Sequence, residues 1–191
     1  VSMVYPGGSI PLAWKILPAN KQAAWMPYWK PLLEQLQQAL PAGYRVLVLC
    51  DRGLYKKELF DEICAVGFHP VMRLTKNGMF NPQSSALWIP LCKVLPQPGY
   101  YYRGKGQMFK TKSCRLKCTF VALWEPGYDE PWYLVTNLAS LDGAYYGLRA
   151  WIEQGFRCIK SSGCKWEQSR MIDCDRIERL WLVYALSLLW T

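Results

Sequence analysis

Val46-Leu47-Val48-Leu49-Cys50-Asp51-Arg52-Gly53 is the stretch on which the reading of this chain turns. Five apolar residues run without alternation, the pattern of a strand covered on both faces in a parallel sheet, and Asp51 closes the run. Downstream, Leu59, Phe60, Ile63 and Val66 fall at helical spacing within Leu54 to Val66, and Gly67 leads into a short strand from Pro70 to Leu74. Strand, helix, strand is the unit of an α/β sheet. Upstream, Trp25, Trp29, Leu32, Leu33, Leu36 and Leu40 predict a helix that ends by Pro41-Ala42-Gly43, with Pro27 and Pro31 in its first turns. Before it, Val1 to Tyr5 and Ile10 to Leu17 read as a hairpin about Pro6-Gly7-Gly8, the second strand stopped by Pro18.

Beyond residue 76 the character changes. Trp88 to Leu95, Tyr100 to Arg103, Arg115 to Trp124 and Trp132 to Thr136 read as strands divided by Pro and Gly turns, with no convincing helix. Helical spacing returns from Leu141 to Lys160, capped by Asp142, and again from Ile172 to Trp190. The expected organisation is 1–76, a β-rich insertion at 77–140, and C-terminal helices at 141–191.

The 191 residues are 51% hydrophobic and 15% aromatic, which supports a sizeable core and excludes disorder, collagen and a coiled coil as the main architecture. A formal net charge of +9 favours a polyanionic partner, although a cationic structural or ribosomal module would look the same. Leu180 to Thr191 is too short for the roughly 20 apolar residues of a spanning helix, so no membrane span is expected. Val1 to Pro11 has no basic-then-apolar secretory pattern, and a start at Val1 inside an apolar alternation reads as a piece of a longer protein. Three of the eight cysteines, Cys50, Cys64 and Cys158, sit in apolar periodic segments, which favours reduced thiols and a cytoplasmic setting. Cys114 with Cys118, Cys158 with Cys164, and the lone His69 lack the usual zinc-knuckle spacings and read as ordinary cysteines.

Projected at about 100° per residue with Tyr146 at zero, Arg149 falls at about 300°, Glu153 at about 340° and Lys160 at about 320°. Leu148, Trp151, Ile152, Phe156 and Ile159 form a separate apolar face, so the four polar residues make one stripe. A solvated face with helix-spaced ion pairs gives the same stripe. So does an acid set among phosphate-binding groups.

The spacing Tyr146-x2-Arg149-x3-Glu153-x6-Lys160, continued by Ser161-Ser162-Gly163 and preceded by the Asp51 stretch, closely resembles the Y-R-E-K signature of DDE insertion-sequence transposases of the insertion-sequence-four type. The resemblance covers nearly the whole chain. It implies an α/β, ribonuclease-H-like mixed sheet with flanking helices and a β-rich insertion between the second catalytic Asp and the catalytic Glu. It implies that Asp51 and Glu153 are catalytic carboxylates holding Mg²⁺ or Mn²⁺, and that Tyr146, Arg149 and Lys160 bind phosphates of the transposon ends. Double-stranded DNA, as transposon ends and target, is the implied partner, with a homodimer on DNA allowed and a bacterial, nucleoid-associated location. Some members hold a flipped base with an inserted Trp, for which Trp124 and Trp132 are both candidates.

One departure stands out. The family's first catalytic Asp belongs on a strand before the opening hairpin, and no residue precedes Val1; Asp142-Gly143 comes in the wrong order and reads as a cap. The triad is therefore incomplete in this chain, and a non-catalytic DNA-binding remnant is the alternative. In the β-rich segment, Tyr100 to Gly106 and Lys110 to Lys117 interleave aromatics with cations, as would either a nucleic-acid surface or strands with Lys guarding their edges.

Overall fold

The structure, a computed structural model, describes residues 1–18 and 25–190. The chain divides into two compact units, one of residues 1–40 with 147–191 and one of residues 41–146.

The second unit is built on a seven-stranded mixed sheet in the order β3-β4-β9-β8-β7-β5-β6. Its strands are β3 (Leu47–Cys50), β4 (His69–Arg73), β5 (Met79–Pro82), β6 (Ile89–Pro90), β7 (Tyr101–Met108), β8 (Leu116–Leu123) and β9 (Trp132–Thr136). The expected parallel pair is present: Leu47 to Cys50 register with His69 to Met72, and helix α2 (Lys57–Ala65) connects them. Helix α2 starts later than the apolar periodicity predicts, because a 3₁₀ turn over Arg52–Leu54 intervenes. No residue of β3 is exposed on either face, in keeping with its unbroken apolar run. Among the described residues it pairs only with β4, at the end of the sheet order, and Leu47, Val48 and Leu49 are half-buried.

The β-rich segment contributes β5 to β9, all antiparallel to their sheet neighbours, so it extends the same sheet. The strand expected over Trp88 to Leu95 shrinks to Ile89–Pro90 followed by a 3₁₀ turn over Leu91–Lys93, since buried Leu91 is drawn under Gly78. One face of the sheet carries an aromatic layer in which Phe120 lies 4.7 Å from Phe80, 5.8 Å from Tyr102 and 6.3 Å from Tyr133, ring centre to ring centre. Full burial of a side chain such as Phe120 stabilises by roughly 1.5–3 kcal/mol. The other face carries Val71, Val121, Leu134, Leu141 and Tyr146.

In the first unit, β1 (Ser2–Tyr5) and β2 (Gly8–Pro11) form the expected hairpin, but as a separate two-stranded sheet whose second strand ends at Pro11. Helix α1 (Met26–Ala39) lies where the periodicity placed it, with Pro27 in its first turn. Helix α4 (Cys174–Trp190) buries Ile177, Trp181 and Ala185. Trp181 is surrounded by Trp14, Phe156 and Trp166, with ring centres 5.6–6.2 Å away.

The single helix expected over 141–160 is corrected to three pieces: a 3₁₀ segment over Gly143–Leu148, helix α3 over Arg149–Arg157, and a π turn over Cys158–Ser162. Gly143 and Gly147 weaken α-helix at the start, and burial of Tyr146 in the sheet cluster fixes the path of the backbone there. Asp142 does cap it, its Oδ1 accepting from Ala144 N–H at 2.9 Å.

Candidate active site

The apolar run of β3 ends in Asp51, which is exposed and held at a turn: its Oδ1 accepts from the Arg52 N–H at 2.6 Å. A carboxylate at a strand end on a turn backbone has a fixed origin and faces water. Arg52 itself pairs with Glu130 from the loop before β9, Nη2 to Oε2 2.5 Å. The Arg52 hydrogen bond and charge, helped by Lys76 and Arg73, hold the Glu130 carboxyl below its ordinary range. Glu130 is thus tied to the residue that follows Asp51. No spacing could have marked it, since 78 positions separate it from Arg52.

Tyr146 is also brought to this strand end. Its hydroxyl donates to the Cys50 carbonyl at 3.3 Å, and its ring meets the edge of Trp132 at 5.4 Å. At 2% exposure it is a buried support for the backbone that carries Asp51. Burial, with Asp51 adjacent, pushes the Cys50 thiol up to about 12, so Cys50 is a packing residue beside the carboxylate. Trp132 also packs against Tyr128, whose carbonyl accepts from Trp124 Nε1 at 2.8 Å.

Glu153 and Arg149 lie on α3 in the other unit and form an i,i+4 ion pair, Nη1 to Oε1 2.5 Å. Glu153 is exposed and Arg149 half-buried, a geometry worth a few tenths of a kcal/mol at most. Lys160 is exposed in the π turn. The uniform stripe drawn through Tyr146, Arg149, Glu153 and Lys160 is thus corrected. Tyr146 is buried in a 3₁₀ segment, where each residue turns about 120°, and Lys160 follows a change of helical period.

As hard oxygen donors, Asp51 and Glu153 suit Mg²⁺ or Mn²⁺. Among the described residues no three acidic, His or Cys side chains gather into a metal-binding group. Of the residues weighed for zinc, Cys118 is buried on β8, Cys114 is exposed, Cys158 and Cys164 are half-buried, and His69 Nδ1 lies 2.9 Å from Asn137 Oδ1.

A mixed sheet with one parallel pair, extended by antiparallel strands and flanked by helices, is consistent with one family. The model of the transposase DDE domain matches residues 2–190. This chain belongs to the DDE transposase family. Among curated proteins it finds no match. The family fits the ribonuclease-H-like expectation, and the seven-stranded mixed sheet with α2 against it is the architecture that the sequence implied. No helix of the described residues is long and apolar enough to cross a membrane.

Proposed function

We propose that the chain is the catalytic part of an insertion-sequence transposase of the insertion-sequence-four type, which cuts and joins DNA strands at the ends of its element. The observation that carries the reading is the family match from residue 2 to residue 190, over a sequence with Asp51 at a strand end and the Tyr146-Arg149-Glu153-Lys160 spacing. On this reading residues 1–76 and 141–191 are the core and 77–140 its insertion, and the protein works in the bacterial cytoplasm.

Asp51 and Glu153 would hold Mg²⁺ or Mn²⁺, which supplies activation of water or a 3′-hydroxyl and stabilisation of the leaving oxygen. The chain's own residues do the rest. The turn at Arg52 fixes the Asp51 carboxylate, and Tyr146 braces the Cys50 carbonyl one residue before it. A phosphate of the element end competes with Glu153 for the Arg149 guanidinium; when it wins, Arg149 holds the DNA and the Glu153 carboxylate is released for its ligand role. Lys160 adds a second cation toward the same DNA, which a homodimer would grip at both ends.

The test is strand cleavage of a duplex element end by the protein with whatever its gene encodes before Val1. Asp51→Asn and Glu153→Gln should each reduce cleavage at least 1,000-fold while duplex affinity stays within about threefold, and Arg149→Ala should weaken binding. Cleavage that survives in both carboxylate variants would overturn the assignment.

A further inference from the structure

The net positive charge of this chain comes from one stretch. Residues 63–124 hold nine Lys and Arg and not one Asp or Glu, while the rest of the chain holds 14 of each, so the entire +9 belongs to this segment. Six of the nine, Arg103, Lys105, Lys110, Lys112, Arg115 and Lys117, lie on the β7–β8 hairpin. Guarding an open strand edge is served by charge, Lys especially, but does not require that carboxylates be absent. Exclusion of every carboxylate from sixty residues is the mark of a surface that meets a polyanion.

The register sorts these cations. Tyr101, Arg103 and Lys105 alternate outward on β7, and Lys117 faces Gln107 across the hairpin, which puts it on the same sheet face. Arg103 and Lys105 are therefore about 7 Å apart along the strand. Lys117 lies diagonally from Lys105 at about 7–8 Å. The opposite face of β7 is locked: a Cβ on Gly106 would run into the Asn81 carbonyl and come within 2.6 Å of the Phe80 ring. The cations thus stand on a strand that cannot easily shift. Opposite Arg103 is Val121, which belongs to the buried cluster with Tyr146, so the cationic row borders the face from which Tyr146 reaches Cys50. At the hairpin turn, Phe109 stacks on Tyr55 at 6.4 Å, four residues beyond Asp51. Among the described residues none of Arg103, Lys105, Lys110, Lys112 or Lys117 has a carboxylate ion-pair partner. Arg115 is engaged locally, over the Trp88 ring and to the Lys110 carbonyl.

We propose that the β7–β8 hairpin is a duplex-DNA backbone arm, in which Arg103, Lys105 and Lys117 contact successive phosphates without reading sequence and deliver the duplex toward the Asp51 turn. This deepens the transposase reading and rests on it. A row of cations at this spacing, on a rigid strand, gains affinity from released counterions and carries no base-edge readout.

The experiment is fluorescence anisotropy of the whole chain with a random-sequence 20-base-pair duplex, from 50 to 300 mM KCl. Withdrawing one cation from its phosphate should flatten the slope of log K against log salt by about 0.9, so Arg103→Gln/Lys105→Gln/Lys117→Gln should flatten it by about 2.7 and Lys117→Gln alone by about 0.9. Lys30→Gln/Arg176→Gln/Arg179→Gln removes the same charge from exposed positions in the other unit and should flatten it by less than 1. Equal effects of the two triple variants would show that only net charge matters and would overturn the arm. Tighter binding of a single strand than of the duplex would overturn it too. Unchanged duplex binding in the hairpin variants would sink the arm but leave the transposase reading intact, whereas no binding by the unaltered chain at 50 mM would remove both.

Discussion

Gly155→Ala sets two effects of known sign against each other. Gly155 is buried within α3, where an Ala should gain about 1 kcal/mol of helix propensity. The added Cβ, however, would collide with Ser9 Oγ and lie 2.9 Å from the Ser9 carbonyl oxygen and 3.4 Å from Ser9 Cβ. The hydroxyl can rotate away, but the carbonyl is backbone of β2 and moves only with the hairpin. Overpacking of this kind costs about 1–3 kcal/mol. The carbonyl contact places the cost in the upper part of that range, so the net loss is about 1–2 kcal/mol after the propensity gain. With a urea slope of about 2 kcal/mol/M, the unfolding midpoint should fall by about 0.5–1 M, followed by the fluorescence of the Trp14, Trp166 and Trp181 cluster in the same unit. Ser9→Gly in the same molecule removes the Oγ and Cβ contacts but leaves the carbonyl, and should recover part of the loss. Because Glu153 lies two residues earlier on α3, cleavage should fall as well. A midpoint equal to or above that of the parent would refute the reasoning, since helix propensity would have prevailed and α3 would not be pinned to the hairpin.

Two further outcomes follow from charge and burial. Glu178 accepts from Lys15 and from the Ile16 N–H, and the Lys15 hydrogen bond is the main cause that holds its carboxyl below the ordinary value of 4.5. Its folded value lies below its unfolded one, so its contribution to stability is complete above about 4.5 and is lost as pH falls through the folded value; an acid titration of the urea midpoint should show that limb, and Glu178→Gln should flatten it. In native protein at pH 8, iodoacetamide should alkylate the exposed Cys92 and Cys114 and spare Cys50 and Cys118, whose thiols burial pushes up to about 12; equal labelling of Cys50 and Cys114 by mass spectrometry would contradict the packing of β3.

Where local signals were strong, the chain was legible without coordinates. The strand read over Val46 to Cys50, its parallel partner read over Pro70 to Leu74, helix α1 and strand β9 follow from apolar period and from Gly and Pro punctuation, because local backbone preference and the apolar face agree there. The Asp51 stretch and the Y-R-E-K spacing pointed to the family before any fold was in view. Tertiary structure alone decided the rest. Periodicity cannot see that Tyr146 is drawn into a buried cluster, breaking one expected helix into 3₁₀, α and π pieces, since the competing energy comes from residues such as Val71 and Val121 that are far away in sequence. Nor can it see that, among the described residues, β3 pairs on one side only, that Glu130 closes on Arg52 across 78 positions, or that Arg103, Lys105 and Lys117 share a face. Each of these depends on strand order and register, which are set when distant apolar faces find each other.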